Sequence, residues 1–207
     1  MNLPFRYIYL ASRSPRRREI LTQIGVRFEM LLLRDASGRA VDVDESPRGG
    51  ENGADYVLRL AREKAEVGWS RMALRHLPMA PVLAADTTVV LNGDIIGKPS
   101  SREDAVAMLT RLSGSTHEVH TAVAVKFEHK LESALSSTSV SFGALSEEVI
   151  RRYAASGEPM DKAGAYGIQG RAAVFVEGIA GSYSGVMGLP AFETADLLRR
   201  FGFTLPP

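Results

Sequence analysis

Asp86 stands inside Val82 to Leu91, a run whose other members are Val, Leu, Ala and Thr. A lone carboxylate in such a strand is expensive to bury unpaired, so it needs a cation, a metal or water. A structural aspartate that ties down a neighbouring loop satisfies the same requirement. Folding the chain back through Asn92-Gly93, the strongest short hairpin signal, sets Lys98 opposite Thr87 and next to Asp86. Lys64 lies four residues beyond Leu60, on an apolar helical stripe, where it is either a second cation for Asp86 or a snorkelling lysine. Glu45, beside Asp44 in a polar stretch, is a candidate ligand for Mg²⁺, which takes hard oxygens from one or two side chains plus substrate phosphates. Taken alone, that acidic pair reads equally as ordinary loop charge.

A second group opens the chain. Ser12-Arg13-Ser14-Pro15-Arg16-Arg17-Arg18 follows a β-favouring segment and precedes a helical one. Free N–H groups and the positive end of the helix dipole favour an anion there. Arginines in a first turn cost roughly 0.3–1 kcal/mol each when exposed, so either an anionic ligand or surface carboxylates must compensate. Near the other end, Tyr166-Gly167-Ile168-Gln169-Gly170 sets a primary amide between glycines. Such an amide can read a base edge at close approach, or cap its own turn. His117 and His120 are three apart on an expected strand and point to opposite faces, so they form no metal pair.

These groups must be carried by elements that the patterning predicts. Tyr7 to Ala11 reads as a strand, Ser14-Pro15 as a helix start with Ile20, Leu21 and Ile24 inward and Gly25 as its stop, and Phe28 to Leu33 as a second strand. Arg34 to Asn52 shows neither period and reads as a loop. Asp55 to Glu66 is helical, Val82 to Leu91 a strand, and Ile95-Ile96 the return of its hairpin. Ser100 or Ser101 caps a helix that ends at Gly114. Val119 to Phe127 and Leu135 to Phe142 read as long strands, Ser146 to Tyr153 as a helix, Pro159 to Gly170 as a connector, Ala172 to Val176 as a short strand, and Pro190 onward as the last helix. The alternation implies an α/β protein with a mixed, twisted sheet flanked by helices, built as one domain over residues 1–207.

Composition narrows the function classes. Net charge is +1, so no global field gathers nucleic acid and an anion site must be local. The absence of cysteine excludes disulfides, thiolate nucleophiles and cysteine-zinc sites, and agrees with a reducing compartment. No apolar run approaches the roughly 20 residues of a membrane span, and Met1 to Ala11 is too short and polar for a signal peptide. The expectation is a soluble, cytoplasmic protein.

In order along the chain, Ser12 to Arg17, Leu60-Ala61-Arg62-Glu63-Lys64-Ala65, Ala85-Asp86-Thr87, Gly97-Lys98-Pro99, Asp161 to Gly170 and Gly188-Leu189-Pro190 resemble the motifs of the Maf family of nucleotide pyrophosphatases, from Leu10 to about Phe201. The resemblance implies a two-lobed fold with a cleft, like that of inosine triphosphatases. It also implies hydrolysis of a nucleoside triphosphate to monophosphate and pyrophosphate, as housekeeping of the nucleotide pool. It makes Asp86 the base, with Lys64 and Lys98 in the catalytic site and Ser12, Arg16 and Arg17 on the phosphates. Glu45 and Asp86 would hold a divalent cation, Mg²⁺ or Mn²⁺. Arg16, Thr87 and Gln169 resemble positions tied to base choice. Tyr166 to Gly170 resembles the branch acting on dTTP and UTP, with modified pyrimidine nucleotides as a further class; a 7-methyl-GTP branch has Glu in place of Gln. A homodimer is suggested by the resemblance alone. Arg13 and a longer Leu33 to Val43 loop depart from the pattern. The rival is a nucleotide- or nucleic-acid-binding regulator of cell division and septum formation, which needs cations but no base; near-zero net charge and the lack of a basic, aromatic stripe weigh against nucleic acid.

Overall fold

The computed structural model describes residues 5–33 and 43–205; positions 34–42 of the predicted 34–52 loop therefore lie outside the described residues. One seven-stranded sheet organises them, in the order β2 (Phe28–Met30), β1 (Ile8–Leu10), β3 (Val82–Leu91), β5 (Thr116–Phe127), β6 (Lys130–Phe142), β7 (Val176–Ala180), with β4 (Asp94–Ile96) paired to β3. β1 runs parallel to β2 and β3, and the other pairings are antiparallel. The mixed α/β sheet expected from the patterning is the one observed.

Alternation along β3 assigns its side chains to two cores. Val82 and Ala84 join Ala122 and Ala124 of β5 under a single long helix, α2 (Gly53–Leu74), which contributes Val57, Ala61, Ala65 and Met72. Leu83, Ala85, Val89 and Leu91 face the opposite layer. That layer holds α1 (Pro15–Gln23), α3 (Arg102–Leu112), α4 (Glu147–Ala154), α5 (Tyr183–Met187) and α6 (Ala191–Arg200). Caps agree with the sequence: the side chains of Ser14, Ser101 and Ser146 accept first-turn N–H groups of α1, α3 and α4. Asn92 and Gly93 have φ of 54° and 87°, the pair of positive angles that a two-residue hairpin turn demands.

Three expectations need correction. The first helical segment after the loop runs to Leu74, well beyond Glu66. Gly68, inside that extension, serves close approach: a Cβ there would lie 2.7 Å from Val82 Cγ1 and 3.2 Å from Ala11 Cβ. The second strand ends at Met30, short of Leu33. The strand placed at Ala172 to Val176 is instead a 3₁₀ turn over Arg171–Phe175, and β7 follows it; the short α5 was not foreseen.

The feature that makes room for a site is a break along one edge of β3. β1 accompanies β3 only at Val82 and Leu83, and β4 only from Val89 to Leu91. Between them, Ala84 to Thr88 have β5 on one side and, among the described residues, no strand on the other. The β3–β4 register, Val89 with Ile96, continues to the expected pairing of Thr87 with Lys98, although the ladder itself stops at Ile96.

Gly68→Ala should lower stability by about 1–3 kcal/mol through overpacking, against a helix-propensity gain of about 1 kcal/mol. Denaturant unfolding checks this; an unchanged or raised midpoint would show that Val82 yields freely.

Candidate active site

Because Asp86 and Thr87 are consecutive on β3, they point to opposite faces of the sheet, and both open onto the break in its edge. On the α2 face, Lys64 donates from Nζ to Asp86 Oδ1 at 2.6 Å and pairs with Glu45 Oε1, also at 2.6 Å. Lys64 and Asp86 keep only 15% and 13% of their side-chain surface, while Glu45 is half exposed. One ammonium thus offsets two carboxylates whose oxygens lie no farther apart than twice that distance. Lys98 was expected beside Asp86, with Lys64 as a second cation or a snorkelling lysine; the partner observed is Lys64, delivered by the apolar stripe of α2. Lys98 is exposed and lines the same cleft.

Glu45 reaches this point because Arg59 fastens its loop to α2. Arg59 makes a two-pronged pair with Glu51, Nε to Oε1 at 2.7 Å and Nη2 to Oε2 at 2.8 Å. The same guanidinium donates to the carbonyls of Asp44 and Ser46, at 3.2 and 3.1 Å, on either side of Glu45. Tyr56 donates from its hydroxyl to the Glu45 carbonyl at 2.8 Å. The hydrogen bonds from Arg59 hold the Glu51 carboxyl down at about 2, against burial, which would raise it. Burial pushes the Tyr56 phenol up to about 12, with the charges of Asp86 and Glu45 adding to the shift.

On the other face, Thr87 Oγ1 receives hydrogen bonds from Arg17 Nη2 at 3.4 Å and Thr121 at 3.0 Å. Arg17 also donates from Nη1 to Ser12 Oγ at 3.1 Å and from Nε to the Gly188 carbonyl at 2.8 Å, which ties the start of α1 to the turn after α5. Burial lowers the Arg17 pKa, and the negative charges of Asp86 and Glu45 work to restore it. The first turn of α1 carries no acidic residue, so Arg16 and Arg17 present positive potential to the cleft at the positive end of the helix dipole.

Ser12, Arg16, Arg17, Glu45, Lys64, Asp86, Thr87 and Lys98 all line one cleft of about 750 Å³. Gln169 does not. It is exposed in a shallow neighbouring groove with Arg18, Phe28 and Met30, which shares Pro15 and Met187 with the cleft. Residue patterning had passed over Tyr56, Arg59, Asp161 and Lys162. Asp161-Lys162, an adjacent charge pair ahead of a glycine-rich segment, was a visible signal; Arg59 looked like one more helix-surface arginine. His117 and His120 do face opposite ways: His117 Nε2 meets Tyr166 Oη at 2.8 Å and burial pushes its pKa down to about 4, while His120 Nδ1 meets Ser137 Oγ at 2.9 Å. Among the described residues no group of three His, Cys, Asp or Glu side chains could hold a metal by itself, and no helix is long and apolar enough to cross a membrane.

A sequence model of the family described as Maf-like protein matches residues 7–201. The chain belongs to this family. Its relatives in the Maf-like family include a protein of Aromatoleum aromaticum, 58% identical over 199 residues, which cover 96% of this chain and 97% of the relative. Others are from Dechloromonas aromatica, 56% identical over 95% of this chain and 98% of the relative, and from Nitrosomonas europaea, 54% identical over 96% of each. Each of the three is named a dTTP/UTP pyrophosphatase.

Arg59→Ala should release the Glu45 loop without unfolding α2. Trypsin should then cut after Arg48 at least about tenfold faster, as local opening loses a charge-assisted pair worth roughly 1.5–3 kcal/mol. An unchanged cleavage rate would show that Tyr56 and Glu63 suffice to hold the segment.

Proposed function

We propose that this chain is a nucleoside triphosphate pyrophosphatase that hydrolyses dTTP and UTP to the monophosphate and pyrophosphate. The observation that carries this reading is the convergence of Asp86 and Glu45 on Lys64, in one cleft with the arginine-bearing start of α1. The names of relatives that match over nearly the full length support the substrate choice. Phosphoryl chemistry asks for neutralised oxygens, a positioned water and a stabilised leaving group. Arg16, Arg17, Lys64 and Lys98 neutralise the triphosphate, with Ser12 as a further donor. Asp86 orients and deprotonates the water that attacks the α-phosphorus. Lys64, bonded to Asp86, holds its carboxylate toward the break in the β3 edge. Arg16, Thr87 and Gln169 act on the base side, Gln169 from the rim of its adjoining groove.

Asp86 and Glu45, both bonded to the Lys64 ammonium, supply hard oxygens that substrate phosphates would complete for a divalent cation such as Mg²⁺, or Mn²⁺ in its place, beside that ammonium. Asp86 and Glu45 would hold that cation, which would supply further neutralisation of phosphate charge and acidify water. A binding regulator without turnover would need the arginines but not this acidic pair, which repels phosphate unless a cation or water intervenes. The family resemblance carries with it a cytoplasmic, homodimeric protein acting on the nucleotide pool.

With dTTP or UTP and Mg²⁺, the products should be monophosphate and pyrophosphate, resolved by ion-exchange chromatography; diphosphate with orthophosphate would overturn the bond assignment. Asp86→Asn keeps the shape and removes the base, so kcat should fall by roughly 10²-fold or more with the fold intact. Turnover within a factor of about two of the parent would assign water activation to another group.

A further inference from the structure

The sheet divides the cleft. Its α2 face carries the acidic and basic groups around Asp86. On the Thr87 face the lining turns apolar, with Val89, Val119, Val186, Met187 and Tyr166. Beyond Arg17, which bonds Thr87, and Lys98 at the Thr87 register, the charged pair Asp161 with Lys162 interrupts that apolar wall. We infer that Asp161 and Lys162 read the hydrogen-bonding edge of the substrate base, an inference that rests on the pyrimidine triphosphate reading above.

Lys162 is built into the wall: only 11% of its side chain is exposed, against 72% for Asp161. Its Nζ donates to Asp161 Oδ1 and to the Glu158 carbonyl, both at 2.5 Å. An ammonium has three donors, so one remains for a ligand. The stem of Lys162 lies where Gly167 would carry a side chain, since a Cβ there would come within 2.7 Å of Lys162 Cε. The segment is anchored beside Lys98 by the Gly164 N–H, which donates to the Gly97 carbonyl at 3.0 Å. The lysine and its carboxylate therefore present a fixed donor next to a fixed acceptor.

Two arguments make the ligand group a base and not a phosphate. A largely exposed carboxylate beside the ammonium repels phosphate oxygens. Apolar walls suit the faces of a flat ring; Arg16 acts electrostatically on Asp161, while Arg17, Lys64 and Lys98 line the cleft around Asp86 and Thr87. The donor–acceptor order then selects among pyrimidines. Uracil and thymine offer an acceptor at O4 next to a donor at N3–H, which match Lys162 and Asp161. Cytosine offers a donor at N4 next to an acceptor at N3, which opposes both.

The test compares uridine and cytidine nucleotides in two assays: calorimetric binding of UMP and CMP, and kcat/KM for UTP and CTP. The parent should prefer uridine in both. Asp161→Asn gives N3 of cytosine a donor and should lower the uridine-to-cytidine ratio at least tenfold in each assay. Lys162→Met should lower it too. If Lys162→Met does not fold, judged by circular dichroism, the exposed Asp161 position decides alone. An unchanged ratio in Asp161→Asn, an equal loss for both bases, or a parent that binds neither monophosphate overturns the inference. A parent that prefers UMP but does not cleave UTP overturns the hydrolase reading while leaving the base contact standing.

Discussion

A carboxylate in the middle of a sheet strand is stable only if a cation is brought to it, and the rest of this molecule is arranged around that requirement. Lys64 meets it from α2 at 2.6 Å. For the lysine to arrive, α2 must lie close on the sheet, and the packing surface is accordingly small: Ala61 and Ala65 on the helix, Ala84, Ala122 and Ala124 on the strands. Gly53 and Gly68 extend the same logic toward the helix ends, where a Cβ would stand 2.3 Å from Val90 and 2.7 Å from Val82. Larger residues would hold the helix off and leave Asp86 without its partner.

The second constraint is the break in the edge of β3. A continuous ladder would cover Ala84 to Thr88 and close both faces to a ligand. Here β1 turns away after Leu10, and the chain runs through Ser12 into α1, so a helix start occupies the region a strand would have filled. Thr87, Arg17, Ser12 and the Gly188 carbonyl hydrogen-bond across that junction. Consecutive residues of one strand can then serve one cleft from two sides, Asp86 among charges and Thr87 among hydroxyls.

Loops complete what the sheet begins. The loop bearing Glu45 has no regular structure to hold it, and Arg59 substitutes for a ladder by bonding the carbonyls on both sides of Glu45 as well as the Glu51 carboxylate. The 3₁₀ segment after α4 is fixed in a comparable way: the Glu158 carboxylate accepts the backbone N–H of Arg171 and the Tyr153 hydroxyl, and the carbonyl of the same residue receives Lys162. In each loop a buried or clamped charge stands in for secondary structure.

Much of this was legible in the residues themselves. The oddity of Asp86 in its apolar run, the Asn92-Gly93 register, the capped start of α1 and the two-face alternation of β3 all follow from local stereochemistry, which acts over a few residues and leaves its mark in order. The ordered motifs carried the family. The sequence did not reveal which lysine pairs with Asp86, because Lys64 and Lys98 differ only in how far α2 approaches the sheet. Nor did it mark Gly68 as a point of close contact, since a glycine's neighbours across the fold leave no trace along the chain. Arg59 was invisible for the same reason: its partners are Glu51 and two loop carbonyls, and carbonyls carry no sequence label. Gln169, adjacent to a glycine and apt for a base edge, stands instead in a neighbouring groove that it lines with Met187, a placement that no local pattern encodes. Local chemistry nominated the side chains, and only the packing of helix on sheet decided which of them meet.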